Sequence, residues 1–124
     1  MTQLEFIEQI IKEKEAVILD ANDKIWSYAE LPYEETRSST LLCSILESEG
    51  FTVETGVAEI PTAFVARYVV GTGKPVMGIL GEFDALATLS QKAGCTVKDP
   101  VQNGGSGHGC GHCCLGTGAL AAAL

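Results

Sequence analysis

Apolar residues in the first thirty positions recur at the spacing of one helical face. Leu4, Ile7, Ile11, Ile18, Ala21, Ile25 and Tyr28 lie three, four or seven residues apart, with Glu8, Lys12, Glu15 and Lys24 off that stripe. The pattern predicts a long amphipathic helix. Leu31-Pro32 is expected to end it, because proline lacks a donor and disfavours helix in the residue before it. A second helix is predicted over 35–49, burying Leu41, Leu42, Ile45 and Leu46, with Gly50 as its stop.

The pattern then turns to β. Residues 51–55 alternate like a half-buried strand, and 62–70 read as a second. Gly71-Thr72-Gly73-Lys74 reads as the turn of a hairpin between its flanking runs. The run 75–81 is almost wholly apolar, which predicts a central strand covered on both faces. Residues 88–109 are polar and glycine-bearing, a loop long enough to be functional or mobile. The small residues of 115–124 predict a helix packed closely on a sheet. No internal repeat or domain linker is visible. Leu124 falls inside this apolar helix without a cap, so a truncated chain is expected.

Composition narrows the classes. The chain has 124 residues, 46% hydrophobic and 19% charged, which suits one globular domain or a piece of a larger one. Its formal charge of -8, with the acid concentrated in the first 60 residues, excludes the basic footprint of a nucleic-acid binder. No apolar run has the length of a membrane span, and the amino terminus lacks the pattern of a signal peptide. Of five cysteines, Cys110, Cys113 and Cys114 fall within five residues. That clustering speaks against a secreted disulfide framework and for metal or redox chemistry in a reducing compartment, so a cytoplasmic protein is expected. Cys43, Cys95 and Cys114 are expected to be small core residues.

Two constellations carry candidate chemistry. Glu82 and Asp84 stand two apart at the end of the apolar run, and that spacing puts both side chains on one side of an extended segment. Two acids held together call for a cation or protons between them; alternatively both leave the sheet for solvent or cap the next turn. The second is Gly107-His108-Gly109-Cys110-Gly111-His112-Cys113-Cys114, two imidazoles and three thiols among glycines. Thiolate and imidazole suit zinc or a similar divalent metal, which makes Cys110, His112 and His108 the candidate ligands. The same stretch also holds a C-x-x-C pair, Cys110 and Cys113, before a helix, the form used in thiol–disulfide exchange. A long loop separates that pair from the apolar run, and Gly-His-Gly replaces the aromatic-proline approach of such proteins. A third reading is a remnant that folds without metal or catalysis.

The ordered set 78–86, then Leu89-Ser90-Gln91, Gly107 to His112, and Leu115-Gly116-Thr117-Gly118-Ala119 resembles the M20-type metallopeptidases and amidohydrolases. Within them it looks most like the aminobenzoyl-glutamate utilisation branch, and 25–35 resembles that family's first helix and turn. The resemblance covers nearly the whole chain. It implies an α/β fold, part of a three-layer α/β/α catalytic domain, with 1–124 as its amino-terminal portion and the dimerisation or lid domain absent. It implies metal-dependent hydrolysis of an amide in a small N-acyl amino acid-like or aminobenzoyl-glutamate-like substrate, with zinc or manganese activating water. Cys110 and His112 match the family's ligands, and Asp84 its metal-organising aspartate. Glu82 stands where the peptidases have a metal-binding histidine. Full-length members are oligomeric. Cys113 departs from the usual Asn or Asp, and Ala87 from the usual proline. The general-base glutamate and the remaining ligands would lie beyond Leu124, so the isolated chain is expected to hydrolyse little or nothing.

Overall fold

The computed structural model describes residues 1–124. Helix α1 spans Gln3–Tyr28, and α2 spans Thr36–Ser48. Strands β1 (Thr52–Thr55) and β2 (Phe64–Arg67) follow, separated by one 3-10 turn, and α3 (His112–Ala123) closes the chain. No helix is long and apolar enough to cross a membrane.

Thr2 caps α1 in a reciprocal box: its hydroxyl accepts from the Glu5 N–H, and the Glu5 carboxylate accepts from the Thr2 N–H at 2.7 Å. The helix stops at Tyr28, ahead of Leu31-Pro32, with Ala29 in the left-handed region at φ 44°. The apolar stripe is only partly used. Ala21 and Ile25 are fully buried, whereas Leu4, Ile7 and Ile11 stay exposed. Helix α2 begins under a carboxylate that belongs to neither helix. Glu30 accepts from the N–H groups of Arg37 and Ser38, at 2.9 and 2.8 Å, and from the Ser38 hydroxyl at 2.7 Å. It satisfies donors that the first turn of a helix leaves free. Lys14 on α1 and Glu49 after α2 pair at 2.6 Å.

The core forms where α1, α2 and α3 meet, around Ala21, Ile25, Leu42, Ile45, Leu46, Cys113 and Leu120. The sheet lies beside it. β1 and β2 pair antiparallel, with Thr52 opposite Arg67 and Thr55 opposite Phe64. Val53 and Phe64 pack against the core from the sheet.

Three expectations are corrected here. The hairpin joins β1 to β2 through 56–63; Gly71-Thr72-Gly73-Lys74 does form a turn, but its flanks do not pair. The apolar run is not a covered central strand: Val76 and Leu80 are 89% and 96% exposed, and the sheet has two strands. A buried strand needs neighbours on both edges and layers on both faces, and these 124 residues place none there. The architecture is a small mixed α/β domain with three helices. Of the cysteines expected in the core, Cys43 is buried while Cys95 and Cys114 are exposed.

Candidate functional site

Residues 81–84 are not a strand, yet the Glu82 and Asp84 side chains both reach the His112 ring and so share a side. They lie close against α3 because two glycines remove the side chains that would keep them apart. A Cβ on Gly81 would come within 2.7 Å of the Ala119 Cβ, and one on Gly116 within 2.8 Å of the Phe83 Cβ. Beyond them, Ala85 is fully buried, and its N–H donates to the Glu30 carbonyl at 2.7 Å.

The glycine-rich turn comes to the same place by a pinned route. Leu86 and Gly107 form an antiparallel bridge, each N–H donating to the other's carbonyl at 3.0 Å. The Ser90 N–H donates to the Gly105 carbonyl at 3.0 Å. Within the loop, Lys92 and Asp99 pair at 2.8 Å, and the Gln91 side chain bonds both the Val97 carbonyl and the Asp99 N–H. Gly109 lies so near Leu89 that a Cβ would stand 2.6 Å from its Cδ1. Gly111, at φ 76°, turns the backbone into the first turn of α3.

His112 thereby lies between the two carboxylates. Its Nδ1 is 3.0 Å from Asp84 Oδ1 and 3.1 Å from the Asp84 carbonyl oxygen. Both partners are acceptors, so Nδ1 carries the proton. Nε2 faces Glu82 Oε1 at 3.7 Å. In the neutral ring that nitrogen turns a lone pair toward the carboxylate, an arrangement that a proton or cation between them would relieve. The Asp84 and His112 side chains are 20% and 15% exposed, and Glu82 is open to solvent at 61%.

The remaining cluster members divide. Cys110 is exposed on the same turn. His108, expected among the ligands, uses both ring nitrogens on backbone. Nδ1 accepts from the Cys113 N–H at 3.3 Å, and Nε2 lies 3.0 Å from the Ile25 carbonyl oxygen. Burial lowers its pKa, against a raising contribution from the Ile25 bond. As placed, His108 has no nitrogen left for an ion. Cys113 is 3% exposed, and burial, with Cys114 beside it, pushes its thiol up to about 11. The sulfur that approaches it is that of Cys114, at 3.9 Å. A buried thiol held in the neutral form is a poor nucleophile for disulfide exchange.

No three of these His, Cys, Asp and Glu side chains close around one point that could hold an ion. The donors that do converge suit part of a metal site. An imidazole fixed through Nδ1 by a carboxylate, with Nε2 facing outward, is the arrangement that orients a ligating histidine. Sequence reasoning missed Ile25, Ala29, Glu30 and Ser106, whose backbone or side chains hold the site together. No local signal marks them, because their partners lie far away along the chain.

The chain is 50% identical over 119 residues to one of the subunits of p-aminobenzoyl-glutamate hydrolase of Escherichia coli (strain K12), covering 96% of this chain and 24% of that protein. It is 30% identical over 112 residues to thermostable carboxypeptidases 1 and 2 of Saccharolobus solfataricus, covering 90% of this chain and 28% of each. No family profile and no solved structure matches it significantly. The chain therefore spans about a quarter of the length of the curated relatives it matches. Over the stretch they share, these similarities to a hydrolase subunit and to two carboxypeptidases are consistent with the M20-type peptidases and amidohydrolases that its motifs resemble.

Proposed function

We propose that this chain is the amino-terminal part of the catalytic domain of a metal-dependent amidohydrolase, one layer-forming portion of a three-layer α/β/α enzyme. Its substrate would be a small N-acyl amino acid-like or aminobenzoyl-glutamate-like amide. The observation that carries the reading is His112, with Nδ1 held by Asp84 and Nε2 turned to Glu82. The relatives' names, one from an aminobenzoyl-glutamate hydrolase and two of carboxypeptidases, support an amide-cleaving hydrolase.

Cys110 and His112 would hold a divalent ion, zinc or manganese, with Glu82 at its edge. Asp84 keeps the proton on His112 Nδ1, leaving Nε2 free to coordinate. When bound, such an ion supplies a Lewis acid for the amide carbonyl and lowers the pKa of water to near neutrality. Glu82, exposed 3.7 Å from Nε2, would take or hold a proton at its Oε1. A catalytic zinc normally keeps three protein ligands. In this reading the missing donors and the general base come from further residues of the whole enzyme, which is oligomeric and works in the cytoplasm.

Zinc titration of the protein and of its Cys110→Ser and His112→Ala variants tests the reading. The protein should bind weakly, and each variant should lose that binding. Equal zinc stoichiometry in all three would overturn it. An insulin-reduction assay should detect no turnover, since Cys113 is buried and its thiol is held neutral.

A further inference from the structure

The last turn of α1 does more than contribute to the core. A helix leaves its final carbonyls without partners along its own axis. Three carbonyls at and just beyond the end of α1 accept bonds from the segments that build the site. The Ile25 carbonyl, which already accepts the Ala29 N–H at 3.1 Å, uses its second lone pair for His108 Nε2 at 3.0 Å; Ala29 receives the Ser106 hydroxyl, and Glu30 receives the Ala85 N–H at 2.7 Å. His108 differs from the other two because its second ring nitrogen also bonds, to the Cys113 N–H in the first turn of α3.

The two partners dictate the state of the ring. An N–H can only donate, so Nδ1 must be unprotonated. A carbonyl can only accept, so Nε2 must carry the hydrogen. His108 is thus a neutral bridge of fixed tautomer, from the carboxyl end of α1 to the amino end of α3. Cys110 and His112 lie between its position and its anchor at Cys113. Gly109 and Gly111 give that stretch little stiffness of its own.

We infer that His108 is a positioning residue: it fixes the turn bearing Cys110 and His112 against α1 and so holds the His112 ring on Asp84. It contributes no bond to a metal. The inference rests on the proposed hydrolase reading only where a metal is used to read it.

The test has two arms on the protein and its His108→Ala, His108→Asn and His108→Gln variants. The first needs no metal. Long-range proton–nitrogen correlation of the histidine rings should find His108 protonated at Nε2 and His112 at Nδ1. In His108→Ala, the His112 ring signals should move and the Nδ1–H signature should weaken. His108→Gln, which can still donate toward Ile25, and His108→Asn, which can still accept from Cys113, should fall between the two. The second arm is cobalt titration followed by visible absorption. His108→Ala should keep the band positions and stoichiometry while its affinity falls about tenfold or more, as for other residues that orient a ligand.

His112 signals unmoved in His108→Ala would overturn the inference. So would cobalt bands that change position, which would make His108 a ligand. If His108→Ala does not fold, the Gln and Asn variants decide by the same signals. If the unmutated protein takes up no cobalt, the metal reading fails, while the ring-nitrogen comparison still decides the role of His108.

Discussion

Asp84 and His112, 28 residues apart in the chain, meet through a 3.0 Å contact between a carboxylate oxygen and Nδ1. The pair joins the acidic segment 82–84 to the first residue of α3 and sets which nitrogen of His112 is left for other partners. Asp84→Ala should therefore weaken zinc binding by about 10–100-fold while leaving Cys110 and His112 in place. Isothermal titration measures the change, and an unaltered affinity would remove Asp84 from the site.

The approach of these segments depends on Gly81 and Gly116. A Cβ on Gly116 would stand 2.8 Å from the Phe83 Cβ and 3.2 Å from the Glu82 carbonyl oxygen. Gly116→Val should cost about 1–3 kcal/mol by overpacking. Because it pushes residues 82–84 off α3, it should also weaken zinc binding. Denaturant midpoints and zinc titration together check this. Gly118, with open space around its Cβ position, is the control, and Gly118→Ala should be tolerated.

Glu30 gives a pH dependence with a definite sign. Burial raises its pKa, but hydrogen bonds from Arg37, Ser38 and Thr36 outweigh that and hold it below its ordinary value of 4.5. The unfolded chain then takes up a proton more readily than the folded one as pH falls. The stability it contributes is present above pH 4.5 and is lost as pH drops through the lowered folded value. Glu30→Gln should cost about 1–2 kcal/mol at neutral pH, the range for a helix cap. The difference from the unmutated protein should narrow in acid. Melts across about pH 3–7, a window set by the glutamate value, would show it. A constant difference would count against the carboxylate's role.

Thiol reactivity should follow exposure. Cys95, Cys110 and Cys114 are exposed, whereas Cys43 and Cys113 are buried with thiols pushed up chiefly by burial. Brief alkylation at neutral pH, read by peptide mass spectrometry, should label the first three and spare the other two until the protein is unfolded. Rapid labelling of Cys113 would revive thiol exchange with Cys110.

Part of this molecule is written in short-range pattern. The helical spacing of Leu4 to Tyr28 and of Leu41 to Leu46 marked both long helices, because helical periodicity is a relation among residues three and four apart. The shared side of Glu82 and Asp84 followed from their spacing of two, and survived although the segment is not a strand. The cluster from His108 to Cys114 was visible as composition alone.

What the cluster's members do was decided by contacts that no local pattern encodes. His108 and His112 look equivalent in the sequence, each an imidazole next to a glycine. Ile25, 83 residues away, occupies one ring of the two with backbone, and Asp84 leaves the other open. The run 76–80 is likewise apolar enough for a buried strand, yet it lies exposed. Apolar character states which surface would gain from burial, but only the path of the rest of the chain supplies the neighbours that bury it.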